Sequence, residues 1–325
     1  MPVSETLESV GCKIAEMDFP PRIINHEAST PLGQTLAEVA AKLEESSQGA
    51  LQVSAGDGAD LPGVPALSIV HPHRGKIHYM AAPEGPEEAP FINALTAMDS
   101  VNYAYRDKLE KMEMAAEIIV FIAASCPHCP KAVSAANAVA LMSPAVTTII
   151  VDAQHNEELA AKFGVKSVPC TLLDRGLSIV GEITVAELVE RILNRGTDEQ
   201  GAKVLFSLIE QDRLDEAVEF IREKEGTQLF VAAWRKSSLA SRIGFMILVE
   251  AILQEDEHAL DDSVPNLIAI LDSGDASLRG DTADVLGQIG HPSAIPALKN
   301  LQNDENPDVA DIASEALGEI EDRME

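Results

Sequence analysis

Between residues 114 and 194 short apolar runs alternate with helix-forming segments, and this alternation restricts the fold more than any other feature of the chain. AEIIVFIAAS (116–125) is a continuous apolar run ending in small residues, as a strand covered on both faces reads. KAVSAANAVALMS (131–143) continues as a helix, TTIIVDAQ (147–154) as a second strand and NEELAAKFGV (156–165) as a short helix. SVPCTLLD (167–174) is a strand entered through a proline; Asp174-Arg175-Gly176 is a turn, LSIVGEI (177–183) a strand and VAELVERIL (185–193) a closing helix. The predicted order is βαβαββα, an α/β unit. Where the first strand gives way to the first helix stands Cys126-Pro127-His128-Cys129.

Two cysteines with two residues between them can hold zinc, close a disulfide or pass electrons. A zinc site ordinarily needs a second pair, or histidines at ligand spacing, and neither accompanies this one. Four cysteines (Cys12, Cys126, Cys129, Cys170) are too few and too scattered in 325 residues for a secreted disulfide framework. The first residues, MPVSETLESVGCK, lack a basic segment followed by an apolar run, and no stretch is apolar enough to span a bilayer, so a cytoplasmic location is expected. In a reducing compartment the electron-passing reading leads. The net charge of −29 makes nucleic acid and anionic membrane unfavourable partners.

The thiolate is the reactive form of cysteine, and an ordinary thiol is mostly protonated at neutral pH. Cys126 opens a helix, where unsatisfied N–H groups and the positive end of the dipole stabilise an anion. It is therefore the expected nucleophile. Cys129, one turn deeper, is placed to attack a mixed disulfide at Cys126 as the resolving thiol. A charged His128 between them would stabilise the thiolate further.

With the Cys-Pro-His-Cys after the first strand and Val168-Pro169 before the third, residues 111–195 resemble a thioredoxin-fold domain. The resemblance implies that Pro169 is cis and faces the cysteines, with Val168 and Pro169 forming the opposite wall of the site beside Pro127. Backbone groups of Val168 would then pair with an extended substrate segment. Thioredoxins carry a buried acid six residues before the first cysteine; here that position is Val120, which leaves Glu117 or a water as alternatives. Cys170, where the family usually has threonine, should point away from Pro169 and stay inert. Cys12 is expected to be a spectator. His71, His73 and His78 flank a predicted hairpin without a carboxylate or thiol at ligand spacing, so no metal is expected. Asp152 reads as a cap.

Residues 1–110 repeat the plan without its chemistry: PRIINHEAS (21–29) as a strand, TLAEVAAKLEES (35–46) as a helix, GVPALSIVHPHRGKIHYMAA (63–82) as a hairpin and PFINALTAM (90–98) as a helix. Val64-Pro65 matches Val168-Pro169, but His26-Glu27-Ala28-Ser29 stands where the cysteines would be. A tandem of this kind resembles the N-terminal domain of the flavoprotein subunit of bacterial alkyl hydroperoxide reductase and the protein disulfide oxidoreductases of hyperthermophiles. Pro130, directly after the second cysteine, fits the flavoprotein type.

Residues 196–325 are predicted to be helical. The segments 264–290 and 295–321 align at a spacing of 31, pairing Pro265 with Pro296, Leu267 with Leu298, Leu286 with Leu317, Gly287 with Gly318 and Ile289 with Ile320. This resembles HEAT repeats; LDEAVEFIREK (214–224) and LASRIGFMILVEAIL (239–253) would supply degenerate repeats that complete the stack.

The expected protein is a dithiol–disulfide oxidoreductase with no bound cofactor. The resemblance implies a protein reductant such as a thioredoxin reductase, a protein disulfide as substrate, for instance in a peroxiredoxin, and a further protein partner on the HEAT surface. The rival expectation is a HEAT scaffold or redox sensor whose thioredoxin-like part is not catalytic.

Overall fold

The computed structural model describes residues 3–96, 103–112, 114–195, 197–223 and 226–324. The chain divides into two compact units, Met1–Arg195 and Gly196–Glu325.

In the first unit the elements run α1 (Val3–Ala15), β1 (Arg22–His26), α2 (Pro31–Ser46), β2 (Gln52–Ala55), β3 (Ala66–Val70), β4 (Lys76–Met80), a 3-10 turn (Gly85–Glu87), α3 (Glu88–Thr96), α4 (Tyr103–Leu109), β5 (Ala116–Ile122), α5 (Cys129–Met142), β6 (Val146–Asp152), α6 (Glu157–Lys162), β7 (Cys170–Leu173), β8 (Leu177–Val180) and α7 (Val185–Leu193). From β5 to α7 this is the βαβαββα order of the sequence analysis. Of the expected helix 90–98, the last two residues lie outside the described ones.

All eight strands form one sheet in the order β2-β1-β3-β4-β6-β5-β7-β8. Each half repeats a pattern: a parallel outer strand, a central strand and an antiparallel hairpin. The halves are fused because β4 pairs in parallel with β6, setting Tyr79 beside Ile150. β5 and β6 are buried along almost their whole length, which is why they read as unbroken apolar runs. On one face α1 packs against α2 and α3, α3 against α5, and α5 against α7. The other face of the second half is closed by α6, with Ile119, Phe121, Ile149, Val151, Ala160 and Phe163 in one cluster.

Three elements of this unit were not expected. β2, with the sequence QVSA, is a short exposed edge strand without an apolar face, so it carries no period-2 signal. α1 packs against α2 and α3, and α4 against α5 and α7, partners distant in sequence.

The second unit is helical: α8 (Asp198–Glu210), α9 (Leu214–Glu223), α10 (Thr227–Lys236), α11 (Leu239–Glu255), α12 (Val264–Ile268), α13 (Ala276–Ile289), α14 (Ile295–Leu301) and α15 (Pro307–Met324). Lys224, the last residue of the expected helix 214–224, lies outside the described residues. The starts of α12 and α14, and of α13 and α15, keep the sequence spacing of 31, and Leu267, Leu298, Leu286, Leu317, Ile289 and Ile320 are all buried. Gly287 on α13 marks where α15 comes closest: a Cβ there would lie 2.8 Å from the Ala316 Cβ and 2.9 Å from its Cα. Gly318, one repeat later, faces open space. The upstream helices join the same core through Phe230, Trp234 and Phe245, and the Trp234 indole N–H donates to the Thr282 hydroxyl at 2.9 Å.

Candidate active site

β5 ends at Ile122, and the chain turns through a hydrogen bond from the Cys126 N–H to the Ala123 carbonyl at 2.9 Å. Cys126 and Cys129 form a disulfide with their Cα atoms 5.5 Å apart. Cys126 retains 9% exposure while Cys129 has none, so only the first sulfur can meet a macromolecular substrate. Cys129 opens α5, and its backbone N–H points at the Cys126 sulfur at 3.1 Å. A helix N-terminus aimed at sulfur is the electrostatic arrangement that favours a thiolate.

The Val168–Pro169 peptide is cis. In the β5–β7 register Phe121 lies opposite Cys170, so Pro169 falls beside the end of β5, from which the cysteine loop departs. Pro169 is buried, and its carbonyl accepts the Gly181 N–H at 2.8 Å. Val168 is half-buried and precedes the ladder, which begins at Cys170. Val64–Pro65 is cis as well, in the equivalent place before β3. The first half thus keeps the proline without the cysteines; in their stead Thr30 caps α2 by accepting the Gly33 N–H.

His128 is exposed and its Nδ1 lies 2.7 Å from Glu182 Oε1; Lys131 Nζ donates to Glu182 Oε2 at 2.9 Å. Hydrogen bonds from Lys131 and His128 hold the Glu182 carboxyl below its usual range. Neither Glu182 nor Lys131 was expected at the site, because 51 residues separate this pair and a charged residue after a strand reads as solvated surface.

The proton acceptor left open by Val120 has a different candidate from the one read in the sequence. Val120 is fully buried. Glu117 sits at the opposite end of β5, where both carboxylate oxygens accept from Arg175 at 2.6 and 3.0 Å, and this pairing removes it from consideration. Glu87 is instead only 2% exposed, and neither carboxylate oxygen has a hydrogen-bond partner among the described residues. Burial pushes its carboxyl up from 4.5 to about 7. Its 3-10 turn packs against α5, and Pro86 shares an apolar groove with Pro130 and Lys131, immediately after Cys129. Nothing in APEGPEEAP (82–90) distinguishes this glutamate from its neighbours; the fold of the first half onto α5 does.

Cys170 is buried on the α6 side with its sulfur 3.3 Å from the Ser178 hydroxyl, and burial pushes its thiol up. Cys12 is exposed on α1. Asp152 accepts the Gln154 and His155 N–H groups, a local cap. The three hairpin histidines diverge: His71 Nε2 meets the Ala94 carbonyl at 2.7 Å, His73 occupies the turn, and His78 Nδ1 is 2.6 Å from the Ser68 hydroxyl, which also meets His26 Nε2 at 2.8 Å. Among the described residues no group of three His, Cys, Asp or Glu side chains could hold a metal, and no helix is long and apolar enough to cross a membrane.

Comparison with known proteins follows the same division. A thioredoxin-domain family model matches residues 116–194, and a HEAT-repeat model matches residues 264–324. A thioredoxin from Methanocaldococcus jannaschii is 31% identical over 80 residues, which are 24% of this chain and 94% of that protein. The NTD_N/C domain of alkylhydroperoxide reductase AhpF from Enterococcus faecalis superposes with a TM-score of 0.50 at 18% identity, covering 57% of this chain and 97% of that one. A protein disulfide oxidoreductase from Aeropyrum pernix gives 0.51 at 20% identity, covering 60% and 94%. At these identities the two structures speak to the fold.

Proposed function

Because the chain belongs to the thioredoxin family, we propose that it is a thiol–disulfide oxidoreductase carrying electrons from a protein reductant to a protein disulfide through Cys126 and Cys129. The observation that carries this reading is the pair itself: an accessible sulfur facing a helix N-terminus, a buried sulfur on the first residue of that helix, and a cis proline before the neighbouring strand.

The cycle starts from the dithiol. The Cys126 thiolate attacks one sulfur of the substrate disulfide, forming a mixed disulfide and expelling the other sulfur as a thiolate that takes up a proton. Glu87 accepts the proton of the Cys129 thiol; the resulting thiolate attacks the Cys126 sulfur and releases the second substrate sulfur, which is protonated in turn. The substrate gains two electrons and two protons, and the protein is left with the Cys126–Cys129 disulfide. A dithiol reductant restores the starting state by the same exchange in reverse. A carboxyl near pH 7 suits this role, since it can take and return a proton under working conditions. Pro127 and His128 shape the approach to Cys126, while Val168 and Pro169 form the facing wall, where the backbone of Val168 is open to an extended segment of substrate.

Dithiothreitol-driven reduction of insulin tests the reading: wild type should catalyse it and Cys126→Ser should not. Cys129→Ser should accumulate a mixed disulfide with the natural substrate, identifiable by mass spectrometry. We regard a peroxiredoxin as the substrate to seek first and a thioredoxin reductase as the first reductant.

A second reading is favoured by α11, where Leu239, Ile243 and Ile247 form an exposed apolar stripe in the HEAT-like unit. On that reading the helical unit binds a protein and the cysteines report redox state. A full-length Cys126→Ser/Cys129→Ser chain that retains its partner in pull-down, together with absent insulin reductase activity in wild type, would select it.

A further inference from the structure

The oxidoreductase reading says which atoms exchange electrons, not how the balance between disulfide and dithiol is set, and the residues around Glu182 bear on that balance. The reduced pair carries its negative charge on Cys126, so cationic side chains nearby stabilise the dithiol state and make the disulfide a stronger oxidant. Lys131, in the first turn of α5, is one such side chain, and His128, between the cysteines, becomes a second when protonated. Both contact the same carboxylate, one on each oxygen. Glu182 is brought there by Gly181, whose φ of +97° turns the chain after β8 and whose N–H is bound to the carbonyl of the cis proline. The carboxylate therefore reaches from the proline wall to the helix that presents the sulfurs. Of the other acids nearby, Glu87 is buried in the turn that packs against α5, and Glu187 is engaged with Thr184 in the cap of α7, with Arg191 as its neighbouring cation.

Resting on the oxidoreductase reading, we infer that Glu182 is a positioning residue that sets the redox equilibrium of the Cys126–Cys129 pair by neutralising the positive field of Lys131 and of protonated His128. Its carboxylate opposes the Cys126 thiolate and holds the pair less oxidising than its cationic neighbours would make it. The charges are largely exposed, so the effect is moderate and falls with salt.

The test is equilibration of the full chain with glutathione: protein disulfide plus two glutathione thiols gives protein dithiol plus one glutathione disulfide. Glu182→Gln should shift this equilibrium toward the dithiol by about three- to tenfold, a tenfold change being about 30 mV for a two-electron couple. The thiolate absorbance of Cys126 should titrate at lower pH in the variant, and Lys131→Gln should move both quantities the opposite way. Salt at about 1 M should shrink the shifts. A loosened loop alone would not produce opposite signs for the two substitutions. An unchanged equilibrium in Glu182→Gln, or a shift toward the disulfide, overturns the inference. If wild type does not equilibrate with glutathione at all, the oxidoreductase reading fails first.

Discussion

Replacing Glu87 by glutamine should make the protein gain stability relative to wild type as pH rises and slow its catalysis, two effects of opposite sign from one buried group. Its carboxyl ionises at about 7 in the folded chain against 4.5 in an exposed one. A group raised in the folded state adds stability that is complete below 4.5 and is lost as pH rises through about 7. Between 4.5 and about 7, at ~1.36 kcal/mol per pH unit, the loss reaches about 3 kcal/mol by pH 8. Glutamine does not titrate, and the cost of burying its amide is the same at every pH. The stability of Glu87→Gln relative to wild type should therefore rise by about 3 kcal/mol between pH 4 and pH 8, whatever its absolute value. Urea unfolding at both pH values, followed through the transition of the first unit, measures this difference. On the proposed cycle, the same variant deprives the Cys129 thiol of its proton acceptor. Release of a mixed disulfide formed with a thiol reagent at Cys126 should slow by about 10²-fold at pH 7, and the inflection near pH 7 should disappear. A stability difference flat across the range would refute the burial argument. An unchanged release rate would refute the catalytic one.

Other expectations follow from single contacts. Glu117→Gln should leave insulin reduction within about twofold of wild type, since its carboxylate is committed to Arg175 at the far end of β5. Gly287→Ala should destabilise the helical unit by about 1–3 kcal/mol, because the added methyl meets the backbone of α15, while Gly318→Ala should stabilise it by up to about 1 kcal/mol through helix propensity alone; thermal unfolding compares the two. Burial holds His78 at about 4, so its neutral ring contributes stability present above 6.5 and lost as pH falls through 4; His78→Gln should remove about 3 kcal/mol of acid sensitivity, measured by urea unfolding at pH 7 and pH 4.

The local parts of this protein were readable along the chain. β5 and β6 read as strands because helices cover both their faces, and such strands can be written only in apolar residues. The 31-residue period of the helical unit survives in the structure because every repeat must bury the same positions against its neighbour. The cysteine pair before a helix and a proline entering β7 are short-range relations of the same kind, although the helix begins at Cys129 rather than at Cys126, which precedes it in a turn closed onto Ala123.

The long-range relations had no such signature. Glu87 and its neighbour Glu88 are alike as letters, yet packing against α5 removes Glu87 from water and lifts its ionisation to about 7. Glu182 acquires its role only when the cis-proline loop carries it to His128 and Lys131. The fusion of two half-sheets through β4 and β6 likewise depends on which edges are left free once each half has formed. Desolvation and charge pairing act between atoms close in space, whereas helix, strand and turn preferences act between residues close in the chain. The site's sulfur chemistry belongs to the second kind of information, and its proton and charge balance to the first.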